Sequence, residues 1–366
     1  MAASLRQQVS VLPLHFLLVL ALTACANQPT PSSSSAKLAQ QGEELPPPSP
    51  SPLTVQAPPP TAAPGVLPGN LLIADRANNR VIEVTPDRQI VWEFPRPGDL
   101  QPGQHFRWPD DAFYAPDGKS IVVNEEEAHA IVLVDYASHR IVWQYGVSEH
   151  RGSARGYLNG PDDAYMWPDG SIGVADIRNC RVLLVNHDAK TVKSQLGRTG
   201  YCAHNPPRSF GLPNGDTPLE NGHVLITEIL GAWVSEVGWD GALYWTTRAP
   251  GISYPSDAQM LPDGNILLVD YARPGQILIM TKQGRAVWRY APRSGTAMLD
   301  HPSLAIELSN GLIALNDDFR NRVIIVDPKT NAIVWQYGVT GRSGRSAGLL
   351  FVPDGIDIKP STWGGG

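Results

Sequence analysis

The feature that most constrains this chain is an internal repeat. The heptapeptide "IVWQYGV" occurs at residues 141–147 and again at 333–339, 192 positions later. From residue 69 onward the chain falls into six rows, each with an apolar run closing on an acid: Asp75, Glu125, Asp176, Glu228, Asp270 and Asp317. The steps between these acids are 50, 51, 52, 42 and 47 residues. Five rows carry a late tryptophan, namely Trp92, Trp143, Trp245, Trp288 and Trp335, whereas the third row has Ser194 at that position. A third marker is a Pro-led turn: "WPDDA", "GPDDA", "LPNGD", "YPSDA", "HPSLA" and finally "VPDGID". A period of this length signals an array of identical supersecondary units.

Within each row the pattern is that of strands. "SIVVNE", "AIVLVDY" and "RIVWQYG" are short β-branched and aromatic runs separated by turn signals such as "PDG", "ENG" and "SNG". Four strands per row in six rows predict an all-β fold, a six-bladed β-propeller over residues 69–366. The rows also carry a closure device that a solenoid lacks. The first row begins directly at its second strand, "NLLIAD", and the last is followed by an unpaired "FVPDGIDIKP". The C-terminal strand is therefore expected to complete the first blade, which removes exposed strand edges.

The region before the repeats reads as an address. Arg6 precedes an apolar stretch, "VSVLPLHFLLVLAL", too short for an ordinary membrane span. It ends in "LTAC", which resembles a bacterial lipobox with Cys25 as the lipidated residue. An ordinary secretory signal cut after Ala24-Cys25-Ala26 is the alternative. Residues 1–25 are read as the signal peptide. Residues 26–68 hold 12 of the 34 prolines and no aromatic residue, so they are expected to be a disordered linker. The implied location is the extracytoplasmic face of a bacterial membrane, reached through lipid alone. Of three cysteines, Cys180 and Cys202 remain, and in an exported chain they are expected to form a disulfide. A net charge of −6 with 17% charged residues provides no basic field for nucleic acid.

Two family resemblances follow from the rows. "IADRANNRVIEV" and "VADIRNCRVLLV" resemble NHL repeats, through Asp75, Asn78 and Arg80 and through Asp176, Asn179 and Arg181. The last row keeps Asp317 and Arg322 but has Arg320 in place of the Asn. "VDPKTNAIVWQYG" resembles the tryptophan-docking repeat of quinoprotein-like (PQQ-like) propellers, through Asp327, Thr330 and Trp335. The resemblance spans about residues 69–360 and implies the propeller class without specifying a function.

In a propeller, the turn into the innermost strand and the turn out of the second strand share one face. The strand-end acids are thus expected at one channel mouth together with Asp110, Asp111, Asp162, Asp163, Asp257, Asp354 and Asp216. Such a ring suits a hard cation, and Asp111 and Asp163 are the candidate ligands for Ca²⁺. Turn chemistry, with neutralisation by arginines, is the competing account. The same face carries the long loops 96–108, 147–160, 197–212 and 339–352. Asp111, Asp163, Asp257, Asp354, Trp108, Tyr157, Arg155 and Arg208 are the candidate ligand-binding residues.

His301, in "DHPSLA", is the only histidine where an innermost strand begins, and it is the candidate catalytic group of an arylsulfotransferase-like reading. A lactonase-like calcium set is not singled out. An adjacent Cys–Cys pair for a quinone enzyme is absent. The expected function is a lipid-anchored, monomeric propeller that binds a protein partner or small ligand at its acidic mouth without catalysis. The alternatives are a metal-assisted hydrolase or lyase, a transferase using His301, or a structural scaffold in envelope assembly.

Overall fold

The computed structural model describes residues 65–364, which form six four-stranded antiparallel sheets. The signal, Cys25 and most of the linker lie outside the described residues. Each sheet is one row of the repeat. In blade 1 the C-terminal strand Pro353–Ile358 pairs with Leu71–Asp75, setting Leu71 opposite Ile358 and Ile73 opposite Ile356. The expected closure is therefore present, and the first and last described strands share one sheet. The folded body takes in residues slightly ahead of the expected boundary at 69. Asn310 donates to the carbonyls of Gly65 and Val66, and Leu67 is buried.

The inner strands read as near-continuous apolar runs because both their faces are covered. One apolar cluster fills each gap between neighbouring blades. Leu72, Ala74 and Val81 of blade 1, for example, meet Ala112, Ile121 and Val123 of blade 2. Each fully buried aliphatic side chain contributes roughly 1.5–3 kcal/mol.

The outer tryptophans extend this packing. Trp92 Nε1 donates to Tyr136 O at 2.9 Å, Trp143 Nε1 to His187 O at 2.8 Å and Trp335 Nε1 to Pro86 O at 3.1 Å, in each case on the following blade. The repeated heptapeptide thus lies on the outer strands Arg140–Gly146 of blade 2 and Ala332–Gly338 of blade 6.

Three blades leave their second strand through a short 3₁₀ turn: Arg76–Asn78, Ile177–Asn179 and Asp318–Arg320. In the first two, Asn78 and Asn179 donate to Asp75 and Asp176 at 2.8 Å, which explains the Asp-x-x-Asn spacing. Cys180 closes the second of these turns. It is bonded to Cys202 as expected, with a Cα–Cα distance of 5.2 Å.

Candidate functional site

The innermost strands set up the site through a shared irregularity. Pro109 faces Glu125 while Ala112 faces Val123, so three steps on the inner strand match two on its neighbour. The same slip occurs at Pro161/Ala164, Pro213/Asp216 and Pro255/Ala258. A bulge of this kind breaks the two-residue alternation and re-aims side chains. Consecutive residues such as Asp110 and Asp111, or Asp162 and Asp163, thereby both join one carboxylate cluster.

Two triads define the centre of that cluster. Asp111, Asp162 and Asp163 each offer an oxygen, and these oxygens lie within 4.8 Å of one another; Asp110, Glu126 and Asp162 do the same. Asp163 is 2% exposed, and its Oδ2 has no hydrogen-bond partner. Asp257 is held from the side by Thr217 Oγ1 at 3.2 Å and Gln259 Nε2 at 2.9 Å. Gly355 stands where any side chain would collide, since a Cβ there would lie 2.1 Å from Asp111 Oδ1. Burial raises the pKa of Asp110, Asp111, Asp162, Asp163 and Asp318 well above the usual carboxylate range. The neighbouring carboxylates add to the shift by repulsion.

Arg76 reaches into these acids, and Arg178 Nη2 lies 3.7 Å from Glu126. Arg76 Nη1 lies 2.5 Å from both Asp110 and Asp354, and Nη2 lies 3.0 Å from Glu126 and also meets Glu127. Two tyrosines of blade 5 stand beside it. Tyr254 donates to Asn214 at 3.0 Å and packs 5.3 Å from Tyr271. From Tyr271 an aromatic chain continues through His301 to Phe319, which is 50% exposed. His301 Nδ1 meets Asp300 at 2.7 Å.

Arg76, Glu126 and Asp318 were not among the residues expected here. Each directly follows a strand-end acid, a position occupied by Ile177, Ile229 and Tyr271 in the other rows. That one-residue offset was the available signal, because adjacent residues at a strand end point to opposite sides.

The strand-end acids themselves require a correction. They do not join the channel ring but turn into the loops leading to the innermost strands. Asp75 accepts the N–H of Phe351, Glu125 that of Arg107, Asp176 that of Asn159, Glu228 that of Gly211, Asp270 that of Ser253 and Asp317 that of Asp300. In every blade the donor lies two residues before the position of the Pro-led turn. Asp75, Asp176 and Asp317 are also paired with Arg80, Arg181 and Arg322 at 2.7–2.8 Å. These arginines are thereby committed to the scaffold and do not neutralise the channel.

Asp216 also departs from expectation. It takes the register of Ala112 and Ala164, is fully buried, and has neither oxygen hydrogen-bonded. The loop candidates lie apart from the acids. Trp108 is 44% exposed, with its main-chain N–H donating to Asn79 Oδ1; Tyr157 packs over Gly152, and Arg155 and Arg208 are exposed. None of these four side chains pairs with the channel carboxylates among the described residues.

Comparisons with known proteins agree with this architecture. Residues 185–352 match the family profile described as outer membrane protein assembly factor BamB. A protein of unknown function from Bacteroides caccae superposes with a TM-score of 0.53 at 18% identity, covering 79% of this chain and 97% of that one. A chain of a nidogen/laminin complex gives 0.53 at 14% identity, covering 80% and 98%. A streptogramin B lyase gives 0.46 at 17% identity, covering 63% and 68%. The likenesses to the Bacteroides caccae protein and to the nidogen/laminin chain concern the fold alone. No curated protein matches the chain significantly in sequence.

Proposed function

On the premise that this chain is a PQQ-like β-propeller whose residues 185–352 carry the BamB-type repeat, we propose that it is a lipid-anchored envelope protein that binds a divalent cation. The cation, Ca²⁺ foremost, sits among Asp111, Asp162 and Asp163, and the charged mouth above it receives a partner or small ligand. The observation that carries this reading is the unpartnered, buried Asp163 Oδ2 within a triad whose oxygens lie within 4.8 Å of one another. Oxygens held ~2.4 Å from one Ca²⁺ are at most about 4.8 Å apart, so the spacing of the triad is compatible with a shared ion.

The electrostatics support the same reading. Arg76 pairs with Asp110, Asp354 and Glu126 and its charge reaches Asp111 and Asp318, whereas Asp163 faces the like charges of Asp111, Asp257 and Asp162. So many buried carboxylates must bind protons or a cation, because isolated buried charges are strongly disfavoured. The reading is binding, and His301, the candidate of the transferase alternative, sits in an aromatic chain between Tyr271 and Phe319 and is not one of the triad residues.

Calorimetric titration of the full chain with Ca²⁺ at pH 7.5 tests the site. Saturable binding that weakens at least ~10-fold in Asp163→Asn supports it, equivalent to about 1.4 kcal/mol. No binding in the wild-type protein overturns it. The anchor is tested separately by metabolic labelling with a radioactive fatty acid, which should label the wild-type chain and not Cys25→Ser.

A further inference from the structure

The repeat exposes a vacancy between blades 3 and 4. In five blades a tryptophan occupies one register on the outer strand: Glu83↔Trp92, Leu133↔Trp143, Glu236↔Trp245, Ile279↔Trp288 and Ile325↔Trp335. Blade 3 has the pair Leu184↔Ser194. Ser194 retains the link to a main-chain carbonyl that Trp92, Trp143 and Trp335 make, donating from Oγ to Trp239 O at 3.0 Å. That carbonyl is equivalent to those of Tyr136 and His187, which receive Trp92 and Trp143. Ser194 supplies the link but omits the ring.

The omission also removes a stacking partner. Trp92 stacks on Tyr136 at 5.0 Å and Trp143 on His187 at 5.6 Å. Trp239, in the equivalent place, instead meets Trp167 edge-on at 5.8 Å and 76°. Trp167 takes the position that Ala115 holds in blade 2 and closes the floor of the gap. What remains is an opening of about 510 Å³ lined by Trp167, Leu184, Ser194 and Trp239, with the Lys193–Asp169 pair at its rim. Trp167 is only 8% exposed and both indole nitrogens are buried, so the polar groups that the opening presents are Ser194 and the Lys193–Asp169 pair. An apolar cleft of this size with a few polar groups in its walls has the composition of a ligand pocket.

We infer that this cleft is a binding site for a planar aromatic group of indole size, which completes the packing that the other blades make internally. The group comes either from a free aromatic molecule or from a tryptophan side chain of a partner. Its edge meets Trp167 and its face is presented to Trp239, as offset aromatic pairs prefer. This site is separate from the channel and does not depend on the cation reading.

Titration of the ¹⁵N-labelled full chain with indole, followed through the tryptophan side-chain N–H resonances, tests it. Saturable shifts of two indole resonances, with a Kd on the order of 1 mM, are expected for so small a ligand. Ser194→Trp should abolish the shifts, and Ser194→Ala should keep them. N-acetyl-tryptophanamide is the second probe. Binding of both probes assigns the site to a side chain, and binding of indole alone assigns it to a small molecule. The inference is overturned if the wild-type chain shows no saturable shift by about 10 mM indole, or if folded Ser194→Trp binds as the wild type does. Ser194→Phe serves as the filling variant should the tryptophan variant fail to fold.

Discussion

Asp75 accepts the main-chain N–H of Phe351 at 2.8 Å, tying the first described strand to the loop that delivers the last. Its other oxygen takes Arg80 Nε at 2.7 Å, and both side chains are almost wholly buried. The acid at the end of each second strand makes the same loop contact, so the propeller is laced on one face by six side-chain-to-backbone bonds. Asp75→Ala leaves a main-chain donor unpaired and a guanidinium buried without its partner. The expected cost is about 3–5 kcal/mol, read from urea unfolding. Asp75→Asn, which keeps an acceptor for Phe351, should cost less. Equal stability of wild type and Asp75→Ala would show that the lacing is incidental.

Arg76 sets the resting charge of the channel. It compensates Asp110, Asp354 and Glu126 from one position, so Arg76→Gln should leave those carboxylates mutually repelling. Two opposite effects are expected from this one change. Without metal the variant melts below the wild type, and with saturating Ca²⁺ the gap narrows because the ion replaces the lost charge. Calcium affinity, measured by titration, should rise by about tenfold. An unchanged affinity would mean that Arg76 and the triad are electrically independent.

Much of this was legible in the chain before any coordinates. Row spacing, the Trp register and the stray "FVPDGIDIKP" sufficed for blade number and closure, because period-two strands and turn signals are local properties. The direction of each acid was not legible. Asp75 and Arg76 are neighbours, yet one secures a loop and the other enters the channel. Asp110 and Asp111 are neighbours that point together, because a bulge intervenes between Pro109 and Ala112. A single slip in register exchanges the two outcomes, and pairing between distant segments sets that register. The loop residues Arg155 and Arg208 illustrate the same limit, since composition marked them as binding residues while their position keeps them from the acids.

Buried carboxylates make stability depend on pH in an unusual direction. Glu125 and Asp357 are raised by burial to about 7, above ordinary values of 4.5 and 3.8, and the channel aspartates are raised as well. Between the ordinary value and 7 the folded state keeps protons that the unfolded chain releases, so stability falls as pH rises through this window. Glu236 acts oppositely. Burial pushes it up, but hydrogen bonds from His223, Lys282, Asn221 and Trp245 outweigh this and hold it at about 2. The stability it contributes is lost only as pH falls below about 4.5 toward 2. Metal-free protein should therefore be most stable near pH 5 and should melt at a lower temperature at pH 8. Added Ca²⁺ should flatten the alkaline side by binding the deprotonated form. A melting temperature that climbs from pH 5 to pH 8 in the presence of a chelator would contradict this account.

The disulfide joins the turn that ends the second strand of blade 3 to the loop that leaves the blade, with a sequence separation of 22. Its energetic role follows from what it constrains. A loop of this length loses roughly 3 kcal/mol of unfolded-state entropy when closed, within a common range of about 2–4 kcal/mol. Cys180 is fully buried in a left-handed turn at φ 56°, so its replacement would disturb packing as well as the bond. Cys202 is exposed, and Cys202→Ser removes the bond with little else. The Cys202→Ser variant and the reduced wild-type protein should therefore show the same loss of stability in urea. The difference between them isolates any effect of the substitution itself. Reduction should leave calcium binding intact, because neither cysteine touches Asp111, Asp162 or Asp163. A matched loss of calcium binding on reduction would instead mean that the blade 3 loop holds the channel acids in place.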